Sequence, residues 1–454
     1  MSTIDKPTQK PRHLTQSDSK PAPHPAPRSL ADAEPRSTQN QSADSKSTKA
    51  GSSPIEADLL SGLKTGIAPR LLAWQMAHGR HDLPWQVPEP YAVWVSEIML
   101  QQTQVKTVLR FYERFMERFA TAQDLAAANF DELAPYWAGL GYYARARNLH
   151  KAAGVVAEQG FPSTVAGWEA LPGIGRSTAG AIHALGQGGY GPIMDGNVKR
   201  VLARWLAFDQ DPKKAAAQKV LWQIAEQLTP KEKSGRYAQA LMDLGSLICT
   251  RSKPKCQLCP LKTDCQAYIE EKTDQFPIKS APTKFKQRYS IALKITAGDQ
   301  LMWLKAASPG IWGELWCLPL IDLRADEALK KPNSRQILAN SDQPELTLNS
   351  DQALSLTQAI YAHPLVQQLI DLSAQPIRTG ELLSHRLTHI AWQIQPISFS
   401  LAPGQKDAAM RLLRTFFIHK EKGALKSSEL MWMRAQQAID SGLPKPMGTL
   451  VKST

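Results

Sequence analysis

From about residue 59 to residue 268, apolar positions recur three and four residues apart. Val105, Val108, Leu109, Tyr112 and Phe115 fall on one helical face, as do Val198, Val201, Leu202 and Trp205, and again Leu241, Leu244 and Ile248. Punctuation at Gly160-Phe161-Pro162, Pro172-Gly173 and Gly191-Pro192 separates these helices. The pattern predicts an all-α domain over 59–273. Beyond it the period changes. Tyr289 to Ile295 alternates, and Leu301 to Leu304 follows Gly298-Asp299, which predicts a β-hairpin. Ile390 to Ile394 reads as a further strand and 408–417 as a helix, so 288–454 is expected to be a separate α+β domain. A basic, proline-broken linker at 274–287 joins the two. The stretches 325–380 and 402–428 are polar and read as loop-rich. Residues 1–58 carry no aromatic residue and are dominated by Ser, Pro, Lys, Ala and Gln, which predicts a disordered N-terminal extension.

Charge narrows the class of partner. Among 454 residues Lys and Arg total 54 against 41 Asp and Glu, a formal net charge of +13. That balance favours a polyanion. No apolar run is long enough to span a membrane, and the first residues are too polar for a secretory signal. A reduced, cytoplasmic compartment follows as the expectation, nucleoid-associated in a bacterium, with a nuclear form left open.

Four of the five cysteines crowd into one stretch: Cys249, Cys256, Cys259 and Cys265. A disulfide framework suits small secreted domains, not this chain. Clustered thiolates repel one another until a cation neutralises them, so a four-cysteine metal site is expected, with zinc and an iron–sulfur cluster both open on spacing alone. Arg251, Lys253 and Lys255 make the loop between the first two cysteines basic, as a phosphate contact would require. A second motif, Leu171-Pro172-Gly173-Ile174-Gly175-Arg176-Ser177, predicts a hairpin between helices. Backbone amides at Gly173 and Gly175, with the dipole of the next helix, can hold a phosphate oxygen. Asp195, in Pro192-Ile193-Met194-Asp195-Gly196-Asn197, enters a helix from a Gly/Pro loop. Read alone, it is as well explained as an N-cap.

Together these features resemble the helix-hairpin-helix DNA glycosylase superfamily. Val95-Ser96-Glu97-Ile98-Met99-Leu100-Gln101-Gln102-Thr103, Gly139-Leu140-Gly141-Tyr142-Tyr143-Ala144-Arg145, Asp195-Gly196-Asn197-Val198 and Met242-Asp243-Leu244-Gly245 narrow the resemblance to its MutY-type adenine DNA glycosylases. It runs from about residue 71 to residue 265. The resemblance implies a [4Fe–4S] cluster on the four cysteines. It also implies a double-stranded DNA substrate carrying adenine opposite 8-oxoguanine or guanine, and a monomeric enzyme.

Hydrolysing an N-glycosidic bond needs an acid for the leaving base and an anion beside the oxocarbenium-like sugar. Glu97 matches the family's acid; its neighbours Trp94, Val95, Ile98 and Met99 are expected to raise its pKa. Asp195 matches the second carboxylate, and Asn197 is expected to orient it. An adenine inside a duplex must be flipped out. Gln102 and Tyr142 match residues that enter the vacated stack, with Thr103 on the lesion side. Trp85, Leu100 and Gln239 are expected at the adenine pocket. Where the related endonuclease III places a strand-cleaving lysine, this chain has Ser177, which cannot form an imine. A monofunctional glycosylase is expected. An endonuclease III-like glycosylase/lyase and a non-catalytic DNA-binding scaffold are the alternatives.

The terminal part resembles a MutT-like module through Pro309-Gly310-Ile311-Trp312-Gly313-Glu314-Leu315-Trp316-Cys317-Leu318-Pro319 and Gly442-Leu443-Pro444. It lacks the acidic Nudix metal box. A binding module for 8-oxoguanine is therefore implied, with Thr388 and His389 in the place of the family's lesion-reading hairpin. Cys317 reads as a small core residue.

Overall fold

The computed structural model describes residues 66–279, 285–307, 310–323, 350–418 and 428–452. The expected N-terminal extension, Pro309 and residues 325–349 of the first polar stretch lie outside the described residues.

Helix α1 (Ile67–His78) opens the helical part, followed by α2 (Pro90–Leu100), α3 (Val105–Arg118), α4 (Ala122–Ala127), α5 (Phe130–Trp137) and α6 (Tyr143–Gln159). Then come α7 (Val165–Glu169), α8 (Arg176–Gln187), α9 (Gly196–Trp205), α10 (Ala215–Leu228), α11 (Ser234–Asp243) and the short α12 (Gln266–Ile269). α2 is apolar nearly all round and lies in the interior, which its sequence explains. Pro90 sits at its first turn, and the Glu89 carboxylate caps it by accepting from the Tyr91 and Ala92 amides. α3 carries a single apolar stripe, with Val108, Tyr112 and Phe115 buried while Leu109, on the stripe's edge, stays exposed.

Among the described residues eight strands form one mixed sheet in the terminal part: β1 (Lys286–Ala297), β2 (Gln300–Lys305), β3 (Trp316–Cys317), β4 (Leu320–Leu323), β5 (Arg378–Thr379), β6 (Leu383–Arg386), β7 (Ile390–Ser400) and β8 (Glu429–Met433). The expected hairpin is present, with Thr296 opposite Leu301 about a left-handed Gly298. β1 begins inside the expected linker, because Lys286 pairs in parallel register with Ile390 of β7. The stretch expected to be loop-rich contains two helices, α13 (Ser350–Ala362) and α14 (Pro364–Asp371). Their apolar residues Leu356, Ile360, Leu365, Val366 and Leu369 are spaced for one face, among polar residues that mask the period. α15 (Lys406–Phe417), α16 (Ala435–Asp440) and α17 (Lys445–Lys452) complete the part.

Alternation along the strands assigns two faces. Ile291, Leu293, Ile295, Ile397 and Phe399 bury against α13–α15. Trp303, Trp392 and Ile394 join a core that continues into α2–α6 through Trp94, Phe115, Trp137 and Tyr143. The terminal part is thus not packed as a separate domain. Its second sheet face buries Ala292, Trp303, Trp392 and Ile394 in a core shared with the helical part and with α17. Polar ties follow the same seam: Arg147 donates to the Gly313 and Gly310 carbonyls at 2.9 and 3.2 Å, and Lys305 pairs with Asp131 at 2.7 Å. Among the described residues no helix is long and apolar enough to cross a membrane.

Candidate active site

α2, α8 and α11 surround a cavity of about 570 Å³. Trp85, Glu97, Leu100 and Gln239 line it, as expected, together with Arg80, His81, Lys233 and Arg236. The half-buried Glu97 shares its helix face with Val93 one turn before and Leu100 one turn after. Burial, reinforced by the charge of Asp195, pushes the Glu97 carboxyl up to about 8. Burial is the cause that was expected. Trp94, Val95, Ile98 and Met99 are wholly buried in the core and are not among the residues lining the cavity.

Asp195 does not line the cavity, yet lies close enough for its charge to act on Glu97. It is also the N-cap of α9: its side chain accepts from the Val198 amide at 2.8 Å and from Asn197 Nδ2 at 3.3 Å. Burial pushes its carboxyl up, against the pull of the Val198 and Asn197 bonds and Arg200. Asn197 Oδ1 in turn accepts from Arg200 at 2.8 Å, and Arg200 also donates to the Gly245 and Cys249 carbonyls. Gly245 is required here, because a Cβ would fall 2.6 Å from Asn197 Cβ. Ser177 Oγ accepts from the Met194 amide at 2.9 Å, which ties the start of α8 to the Asp195 loop.

Gln102 and Tyr142 both adopt left-handed backbone (φ 56° and 49°) at the ends of two loops. Arg145 joins those loops. Its guanidinium donates to the Ile98, Met99 and Gln101 carbonyls and Thr103 Oγ1 on one side, and to Leu140 and Gly141 on the other. Tyr142 is exposed. Gly173 turns the hairpin at φ 79°, and Gly175 caps α8.

The four cysteines line one small apolar pocket with Arg204, Trp205 and Leu261. Arg204 is buried and donates to Cys249 Sγ at 3.4 Å and to the Thr250 carbonyl at 2.7 Å. Burial pushes the Cys259 thiol up to about 12 and the Cys265 thiol to about 11, so their thiolates need a cation. Among the described residues no three His, Cys, Asp or Glu side chains converge on a single ion. Arg251 and Lys253 are exposed. Thr388 and His389 are exposed at the turn between β6 and β7 and do not line the cavity. Sequence reasoning gave no role to Arg80, Arg145, Arg200, Arg204 or Asp243. A buried charge leaves no periodic mark, although Asp243 at an otherwise apolar helix end was a visible anomaly.

Residues 95–227 match the model of the HhH-GPD superfamily base excision DNA repair proteins. An adenine DNA glycosylase of Buchnera aphidicola from Schizaphis graminum is 32% identical over 388 residues, covering 84% of this chain and 96% of that one. The chain belongs to the adenine DNA glycosylase family. The adenine DNA glycosylase of Buchnera aphidicola from Acyrthosiphon pisum is 40% identical over 253 residues, 55% of this chain and 72% of its own. The human adenine DNA glycosylase is 42% identical over 216 residues, 45% of this chain and 39% of its own. This adenine DNA glycosylase accordingly removes adenine from DNA in base excision repair, and its helical part is the glycosylase domain of that superfamily.

Proposed function

We propose that this adenine DNA glycosylase takes a flipped adenine, mispaired with 8-oxoguanine or guanine, into the 570 Å³ cavity and releases it hydrolytically, leaving an abasic site. The observation that carries the reading is a carboxyl held near neutrality, Glu97, with the second carboxylate of Asp195 within electrostatic reach. Glu97, protonated at neutral pH, donates its proton to the adenine ring nitrogen as the bond breaks. Asp195, oriented by Asn197, stabilises the sugar cation or forms a transient adduct with it. Trp85 and Leu100 wall the base and Gln239 meets its edge. Gln102 and Tyr142 fill the vacated stack, with Thr103 beside the opposing base. The amides at Gly173 and Gly175, with Ser177, Arg251 and Lys253, face the phosphates. Ser177 offers no amine for Schiff-base chemistry, so strand cleavage is not part of the reaction.

The tip of the β6–β7 hairpin, Thr388 and His389, reads 8-oxoguanine, and the sheet-bearing part is a MutT-like binding module. The enzyme acts as a monomer in the bacterial cytoplasm, at the nucleoid. The four cysteines around one pocket would hold a [4Fe–4S] cluster, which the family resemblance favours over zinc. When bound, the cluster would neutralise the four thiolates and hold the basic loop; no step is assigned to it.

The deciding experiment is single-turnover base release from a duplex with adenine opposite 8-oxoguanine, read with and without alkali. Release with strand breaks only after alkali is expected; breaks without alkali would indicate a lyase. For the cofactor, Cys256→Ala should lose iron and visible absorbance together with DNA affinity. Zinc in the purified wild type instead of iron would overturn the assignment.

A further inference from the structure

Asp243 closes α11, and its side chain is fully buried behind the cavity wall. Its Oδ1 accepts from Gln239 Nε2 at 2.9 Å and from Arg80 Nε at 2.7 Å, and its Oδ2 accepts from the Arg80 amide at 3.0 Å. The Arg80 guanidinium also closes a 2.6 Å ion pair on it. An ionised carboxylate can only accept, so the Gln239 amide must turn its NH2 end towards Asp243. Gln239 Oε1 is left as the group's other polar atom. Gln239 lines the cavity, and with Nε2 held by Asp243, Oε1 is the amide atom left for a bound base.

We infer that Asp243 is a specificity-determining positioning residue: by locking the Gln239 amide, it presents a fixed acceptor to the bound base. A fixed acceptor receives a hydrogen bond from the exocyclic amine of adenine. It repels the carbonyl oxygen that hypoxanthine or guanine carries at the same ring position. A glutamine amide free to rotate would serve either base, so discrimination comes from the buried carboxylate behind it and not from the glutamine alone. The inference rests on the reading that the cavity receives the flipped base.

The test compares single-turnover release of adenine and of hypoxanthine from otherwise identical duplexes, both opposite 8-oxoguanine. Asp243→Asn, whose side chain can donate as well as accept, should raise the hypoxanthine-to-adenine rate ratio about tenfold, the effect of one hydrogen bond exchanged for a repulsion. Adding Gln239→Glu to Asp243→Asn should restore the wild-type ratio, because a carboxylate at 239 only accepts and the asparagine amide donates to it. That double variant keeps a carboxylate beside Arg80, and carries the test if the single variant does not fold. An unchanged ratio in Asp243→Asn, or a double variant without the adenine preference, overturns the inference. Gln239→Leu separates the two levels. If it alters neither rate, the cavity assignment fails and the inference with it. If it alters the ratio while Asp243→Asn does not, only the role of Asp243 fails.

Discussion

Glu97 is half-buried in the cavity wall, and its titration follows from that placement. A carboxyl raised to about 8 is protonated below that pH and loses its proton above it. Base release that uses this proton should therefore be level just below pH 8 and fall about tenfold per unit above it. Towards acid the rate should drop again as Asp195, whose ionised form is the useful one, takes up a proton. Single-turnover rates between pH 5 and 10 on one duplex check both limbs. Glu97→Gln should cut the rate by at least about 100-fold while keeping DNA binding, as removal of a general acid does. Turnover at the wild-type rate would remove Glu97 from the acid's role. Glu97 was legible only through its surrounding motif, since a lone Glu on a buried helix carries no sign of its pKa.

The elements that would meet DNA are short and locally unfavourable. Non-glycine residues in left-handed backbone cost on the order of 1 kcal/mol each, and Gln102 and Tyr142 are held there by what surrounds them. Arg145 supplies much of that support, since one guanidinium satisfies carbonyls from both loops and stacks over Tyr142 at 5.4 Å. Lysine, with a single ammonium, cannot span the two loops. Arg145→Lys should slow adenine extrusion from a fully paired duplex about tenfold, read by the fluorescence of a reporter base beside the adenine. Binding to a duplex that already carries an abasic site should change far less. Equal losses on both duplexes would assign Arg145 to general stability. The hairpin of Gly173 and Gly175 was readable in the sequence because glycine spacing dictates turn geometry. The bracing of two loops by Arg145 was not, because its partners are carbonyls that any residue would supply.

At the scale of the whole molecule, the sheet and the helices share one apolar core. The β6–β7 hairpin that carries Thr388 and His389 is therefore part of a body that includes α2 and the cavity wall. Arg147, buried at the seam, donates two hydrogen bonds to the Gly310–Gly313 turn. Arg147→Ala should cost about 3 kcal/mol of stability, since a charged group's bonds are lost and two carbonyls are left buried. It should also erode the preference for 8-oxoguanine over guanine opposite adenine, as Thr388→Ala with His389→Ala should without loss of stability. Thermal unfolding with rate ratios on the two duplexes checks both. An unchanged ratio in the hairpin variant would remove the hairpin from lesion reading. By itself the sequence determined what local periodicity and spacing can encode. Most helices and strands, the glycine hairpin and the four-cysteine loop follow from neighbours within a turn or two, while Glu97 and Asp195 stood out only through the motifs that carry the family resemblance. Only the tertiary structure decided the rest. It joined the terminal sheet to the helical core, set Asp195 within reach of Glu97, braced Gln102 and Tyr142 through Arg145, and paired Asp243 with Arg80 behind the cavity wall. Each of those depends on buried polar and apolar contacts between distant segments, and burial is a property of the packed chain that no sequence window contains.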